Sequence, residues 1–365
     1  MRRAGTRLFR ACSVVLGAVA IVTLAACGQS DSQAERSGDA AQDVVRIGFS
    51  MDSLVVERWQ RDRDAFLDEA RINGVEVILR TANERLEVQR EQLLELGQSE
   101  IDVLVVVPNH AEELSETVES IRDRGVPVLA YDRLVRNTPI DAYISFDNQG
   151  IGSMMAEAVL GELESREEEE STVLVINGAL NDYNSIMINR GIVTSLTPRI
   201  DSGRVEMLDS LWLQTWRNEE AREAIEDAFD RFDRISGVIA ANDLIADAVV
   251  RSAAARGIAG ELLVSGMDGN LAAVQRVAEG TQLMTIYKPV EDLARRAVHA
   301  AIELAETGTV ETDEVIHNGR VEVPFIRLAP VMVSQENILD TVIADGFHSY
   351  DDVFRNVPES RRPPR

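Results

Sequence analysis

From residue 44 onward the hydrophobic positions follow two alternating rhythms. Short apolar runs of strand length are separated by longer stretches whose apolar residues recur every three or four positions, the spacing of one helix face. The pattern predicts strands at 44–50, 75–80, 102–108, 126–133 and 143–147, with helices over 54–73, 86–97 and 111–124. It then restarts with a helix at 150–164, a strand at 172–177, a helix at 185–196 and a strand at 205–211. A helix at 219–232, a strand at 237–242, a helix at 244–256, a strand at 262–268, a helix at 271–279 and a strand at 282–287 complete this second series. Such alternation builds parallel, doubly wound sheets, so the fold class is α/β with two Rossmann-like lobes. A last helix, 290–307, and two strand-like pieces, 321–327 and 330–333, need not stay with one lobe. They can return to the first and then the second, giving several hinge crossings.

The first 26 residues break this pattern. Arg2, Arg3, Arg7 and Arg10 precede an apolar stretch, 11–26, that is short for a membrane span and has the layout of a secretory leader. It ends Leu24-Ala25-Ala26-Cys27-Gly28, which resembles a bacterial lipobox. The resemblance implies lipidation of Cys27 and anchoring of the mature chain to the membrane. Residues 27–43 are small and polar and read as a flexible tether. The other cysteine, Cys12, lies in the leader, so the mature chain has neither a disulfide nor a thiol nucleophile.

The chain carries 62 acidic and 37 basic residues, a net charge of −25, and loss of the four leader arginines takes it to −29. So acidic a surface argues against nucleic-acid binding. The run Glu167–Glu170 reads as a solvated loop. Of the 37 basic residues only Lys288 is a lysine. In a chain that otherwise uses arginine, that position asks for a compact ammonium in place of a planar fork.

In open α/β sheets, ligands bind beyond the carboxyl ends of the strands. Here those ends carry Ser50-Met51-Asp52, Pro108-Asn109, Tyr131-Asp132-Arg133, Asn177-Gly178, Asn242-Asp243, Met267-Asp268 and Tyr287-Lys288. Almost every strand stops at an amide, a carboxylate or a cation. Asp132 beside Arg133 reads either as an ion pair closing a strand or as a grip for vicinal hydroxyls. Two facing sheets would bring all these groups into one crevice. Trp59, Trp212 and Trp216 fall at loop or helix-start positions near strand ends, and Trp59 with Trp216 would offer one indole from each half to stack on a sugar ring.

On these stretches the chain resembles the D-xylose-binding receptors within the pentose/hexose-binding family of bacterial ABC transporters. The matching segments are LVVERWQRDRDAF at 54–66, VLAYDRL at 128–134, YISFDN at 143–148, SGMD at 265–268, GTQLMTIYKP at 280–289 and TVIADGFH at 341–348. The resemblance implies a periplasmic-binding-protein fold of type I, with three hinge crossovers and lobes that close on one monosaccharide, D-xylose favoured, for delivery to a membrane permease. It implies sugar contacts at Arg58, Trp59, Asp132, Arg133, Asp182, Asn184, Trp216, Asn242, Asp268 and Lys288. Asp182 and Asn184 lie in a loop, Asn181–Asn184, that matches the family only in part. The expected boundaries are 44–148 with 289–318 for the first lobe, 149–288 with 319–349 for the second, and a disordered tail over 350–365. A monomer without metal, cofactor or catalytic activity is expected.

Rival readings are weaker. Gly150-Ile151-Gly152 follows a strand and opens a helix, but Met155 occupies the third glycine position of a dinucleotide fingerprint. His110, His299, His317 and His348 show no metal-ligand spacing. A sugar-acting enzyme would need an acid and a base with shifted pKa values, a sugar-responsive repressor would need an N-terminal DNA-binding helix pair, and a receptor feeding a sensor kinase would share the binding but not the output.

Overall fold

The computed structural model describes residues 44–166 and 171–365. The leader, Cys27, the tether and the acid run Glu167–Glu170 lie outside the described residues. The first lobe begins with β1 (Arg46–Met51), α1 (Glu57–Ile72), β2 (Glu76–Thr81), α2 (Leu86–Leu96), β3 (Val103–Val106), α3 (Ser115–Arg122), β4 (Val128–Tyr131) and β5 (Ala142–Phe146). The second contains α4 (Asn148–Ser165), β6 (Ser171–Ala179), α5 (Tyr183–Asp201), β7 (Val205–Leu213), α6 (Asn218–Arg231), β8 (Gly237–Ala240), α7 (Asp243–Ala255), β9 (Leu263–Val264), α8 (Leu271–Glu279) and β10 (Thr285–Tyr287). Then follow α9 (Val290–Thr307), β11 (Val315–His317), β12 (Glu322–Leu328), β13 (Val331–Val333) and a short α10 (Tyr350–Val353).

The two sheets repeat one strand order. The first runs β11-β12-β5-β4-β3-β1-β2. The second runs β7-β6-β8-β9, and a parallel bridge between Met267 and Ile286 carries it on to the β10-β13 pair. Counted from each lobe's first strand, both follow the doubly wound order 2-1-3-4-5. The inner strands are apolar throughout because helices cover both faces. In β3, Val103 and Val105 join the core shared with α1 and α9, while Leu104 and Val106 join the core under α2 and α3. That split is the two-residue period of a strand.

The chain crosses between lobes three times: between β5 and α4, between β10 and α9, and between β12 and β13. The crossings brace one another, since Asp147 N donates to Leu328 O at 3.1 Å. One boundary differs from expectation. β12 pairs in parallel with β5, Phe325 opposite Tyr143, so 322–328 belongs to the first lobe's sheet and not to the second lobe. A strand's own pattern shows that it is buried, not which sheet edge will take it. The tail differs too. Val353, Phe354 and Val357 are buried with Val274 and Val277 of α8, and Tyr350 donates to Pro363 O at 2.5 Å, so 350–365 is packed and not disordered.

Gly152 has a structural role of its own. A Cβ there would lie 1.9 Å from Ile188 O, and one on Gly191 would lie 2.0 Å from Gln149 O. The two glycines let α4 and α5 cross at backbone contact. No helix among the described residues is long and apolar enough to cross a membrane.

Candidate functional site

The parallel strands of both lobes aim their carboxyl ends at the cleft between them. All ten sequence-selected residues line one cavity there: Arg58, Trp59, Asp132, Arg133, Asp182, Asn184, Trp216, Asn242, Asp268 and Lys288. Val56, Asn148 and Met267 complete the wall. Asn148, which closes the motif YISFDN, obeys the same strand-end rule by following β5 and is a wall residue that the sequence reading lacks. Val56 and Met267 carry no signal of their own: Met267 precedes Asp268, and Val56 lies two residues before Arg58. The cavity holds about 440 Å³ not filled by atoms, including solvent at its mouth.

Local structure places each group. Arg58 and Trp59 occupy the first turn of α1. Asp132 follows β4 with a φ of 59°, a left-handed conformation that stops the strand. Asp182 and Asn242 cap α5 and α7, accepting from Asn184 N and Ile245 N, both at 2.9 Å. Asp268, with a φ of 105°, follows β9, and Lys288 follows β10.

The charges are paired in a web that joins the lobes. Arg58 pairs with Asp132. Arg133 reaches Asp52 at 2.8 Å within its own lobe and Asp182 at 2.8 Å in the other. Lys288 Nζ lies 3.0 Å from Asp268 Oδ1. Asn184 donates its amide to Asp132 O and Oδ1, both at 3.1 Å, and accepts from Asn148 Nδ2 at 3.0 Å. Every one of these groups is buried. Burial alone would raise the Asp132 carboxyl, but Arg58, Lys288 and Arg133 outweigh it and hold its pKa below the ordinary value. For Asp182 burial wins over Arg133, and its pKa rises. Burial would lower the pKa of the Arg58 and Arg133 guanidiniums; the carboxylates around them outweigh it and raise both.

The indoles stand where one from each lobe can act. The Arg58 guanidinium lies over Trp59, 4.5 Å from the ring centroid. Trp216 rests on Gly178, where a Cβ would come within 2.2 Å of the ring. Trp212 does not fit the expectation for it. β7 continues to Leu213, so Trp212 is a strand residue opposite Asn177, outside the cavity wall. Asp52 and Asn109 also stand outside it, lining an adjoining space at the mouth, where Asn109 Nδ2 donates to Asp52 Oδ1 at 2.7 Å.

Two lobes that share a small cavity lined with paired charges and amides define a binding protein of the two-lobe type. Residues 47–309 match the family described as periplasmic binding protein domain, and the chain belongs to that family, as one of its sugar-binding, non-enzymatic members. It is similar to the D-xylose-binding periplasmic protein of Escherichia coli, 36% identical over 310 residues, or 85% of this chain and 92% of that one. The D-xylose-binding periplasmic protein of Haemophilus influenzae is 34% identical over 319 residues, 87% and 95% of the two chains. Among solved structures, a carbohydrate transporter solute binding protein from Chloroflexus aurantiacus, in complex with D-glucose, superposes with a TM-score of 0.79 at 25% identity, covering 84% of this chain and 97% of that one.

Proposed function

We propose that this protein is the sugar receptor of an ABC importer, that D-xylose is its ligand, and that lipid on Cys27 holds it at the outer face of the membrane. The observation that carries the sugar is the charge balance of the cavity. Arg58, Arg133 and Lys288 face Asp132, Asp182 and Asp268, so the wall has no net charge yet is dense in donors and acceptors. A neutral polyol can satisfy such groups hydroxyl by hydroxyl. A phosphorylated or carboxylated ligand would leave a charge unpaired inside it. The relatives named for D-xylose favour a pentose, and the lipobox supports the anchor.

Binding requires no chemistry. The sugar's hydroxyls donate to the three carboxylates and accept from Arg58, Arg133, Lys288 and the amides of Asn184 and Asn242. Its C–H faces lie against Trp59 and Trp216. Because these groups come from both lobes, the ligand interacts with the whole set only when the lobes meet, and so stabilises closure. The permease then reads the closed surface.

The test is a tryptophan-fluorescence titration of the chain without residues 1–26, using D-xylose, D-ribose, L-arabinose, D-galactose and D-glucose. Saturation by D-xylose at far lower concentration than by the others is expected. A hexose is the second reading, favoured by the D-glucose held in the solved neighbour, and saturation by D-glucose first would select it. No response to any of the five would overturn the sugar reading.

A further inference from the structure

Behind the cavity wall lies a carboxylate that no sugar can reach. Asp62 sits one turn beyond Arg58 on α1, with its side chain fully buried. An unpaired carboxylate there would be costly. Two groups compensate it. Tyr131 donates its hydroxyl to Asp62 Oδ1 at 2.6 Å, and Arg58 Nε lies 3.1 Å from Asp62 Oδ2. Neither Arg58 Nε nor Asp62 Oδ2 has a hydrogen-bonding partner, so their contact is an ion pair and not an aligned hydrogen bond, and it is the charge of each that compensates the other. Arg58 Nη2 meanwhile pairs with Asp132.

We propose that Asp62, oriented by Tyr131, is a positioning residue for sugar binding: it holds the Arg58 guanidinium at Nε while Asp132 holds it at Nη2, fixing the plane that Arg58 presents to the cavity and to Trp59. This inference rests on the sugar-binding reading above. A guanidinium held at one nitrogen can swing about that contact; held at two, it cannot. The fork is then organised before the ligand arrives, and less of the binding free energy goes into ordering it.

The arrangement makes affinity depend on pH. The groups facing Asp62 are Arg58 on its own helix, Tyr131 and Asp132 on and after β4, and Lys288 across the cavity. Burial pushes the Asp62 carboxyl up to about 6, against the pull of Arg58. The side chain is already fully buried, so a bound sugar adds little to that burial but does require Arg58 to stay in place. The complex therefore favours the charged carboxylate. Affinity falls as pH falls through about 6.

The experiment measures the dissociation constant of the full chain by calorimetry, for whichever monosaccharide the wild type binds best, between about pH 7.5 and 5.5. Wild-type affinity is expected to drop severalfold across that range. Asp62→Asn is expected to weaken binding about tenfold at the upper end, because Arg58 loses a charged partner, and to flatten the profile. Tyr131→Phe removes one hydrogen bond that favours the charged carboxylate, so the acid loss of affinity moves to higher pH. A purely structural role for Asp62 would not shift that midpoint. Asp62→Asn binding within twofold of wild type, or keeping the wild-type profile, overturns the inference. Should Asp62→Asn fail to fold, an unchanged profile in Tyr131→Phe overturns it. A wild type that binds no monosaccharide overturns the sugar reading and this inference together, a different result from variants that match a binding wild type.

Discussion

Asp132 and Asp268 occupy the same place in the two lobes. Each follows the fourth strand of its sheet, and each donates its backbone N–H across to the fifth strand, Asp132 to Ile144 O and Asp268 to Ile286 O, both at 2.8 Å. Each has positive φ, 59° and 105°, which a residue with a side chain adopts at a cost. Each pairs with a buried cation, Arg58 for one and Lys288 for the other. The surroundings hold the strained turns in place. Tyr143 and Ser145 hydroxyls donate to Asp132 O at 2.9 and 2.7 Å, and His348 Nε2 lies 2.7 Å from Gly269 O. The repeated α/β unit thus delivers one carboxylate from each side to the same cavity.

Removing Asp268 strands a cation, whereas Arg58 would keep Asp62 if Asp132 were lost. Asp268→Ala is expected to cost about 2–4 kcal/mol of sugar affinity, since it deletes a proposed ligand contact and leaves the Lys288 ammonium buried without its partner. Asp268→Asn, which tolerates positive φ and keeps an acceptor, should cost less. Calorimetric titration with D-xylose measures both, and near-native affinity in Asp268→Ala would sink the site assignment.

Gly178→Ala tests the seat of Trp216. The new methyl would sit 2.2 Å from the ring, so the indole must leave its position on the cavity wall. We expect folding to survive with about 1–3 kcal/mol of destabilisation, and sugar affinity to fall by more than that of Trp216→Phe, which keeps a stacking face. Equal affinity in Gly178→Ala and wild type would show that the indole position is immaterial.

The three tryptophans should separate spectroscopically. Trp59 and Trp216 line the cavity and Trp212 lies in β7. Trp212→Phe should lower total emission while leaving the sugar-induced change and the midpoint of the titration as in wild type. Loss of the sugar-induced change in that variant would place Trp212 among the reporters and contradict its position outside the cavity wall.

The reach of the sequence is set by how local each signal is. Asp132, Arg133, Asn242, Asp268 and Lys288 were legible because an apolar run that stops at a charged or amide residue marks a strand end, and parallel topology sends all such ends to one side. Arg58 and Trp59 came from a motif. Asp62 was illegible, because an acid four residues after an arginine on a helix looks like an ordinary surface pair; only the packing of α1 on the sheet buries it. Trp212 was misplaced because β7 runs two residues beyond its apolar core. The partner of β12 and the packing of the tail depend on residues far apart in the chain, which no window of sequence contains.

Asp243 gives the last prediction, and its sign is the reverse of the usual one for a carboxylate. It is buried at the start of α7, accepting from Thr285 Oγ1 at 2.8 Å and from Asn270 N at 2.9 Å. Burial pushes its pKa up to about 7, and the negative charge of Asp268 adds to this, while Arg276 opposes it. Its ordinary value is 3.8. Between those values the native protein holds a proton that the unfolded chain has released, so stability falls as pH rises through the window. The contribution is complete below about pH 4 and gone above about pH 7. Asp132, whose pKa is lowered, has the opposite sign, and its contribution is lost only as pH falls below the ordinary carboxylate range. The two windows do not overlap. Asp243→Asn keeps the shape and an acceptor without the charge. Relative to wild type it should gain stability from about pH 5 to about pH 8, by on the order of 2–4 kcal/mol at the upper end. Thermal melts of both proteins across that range measure the difference. An offset that does not change with pH would mean that Asp243 titrates alike in the native and unfolded chains, and that its burial is relieved by something other than a proton.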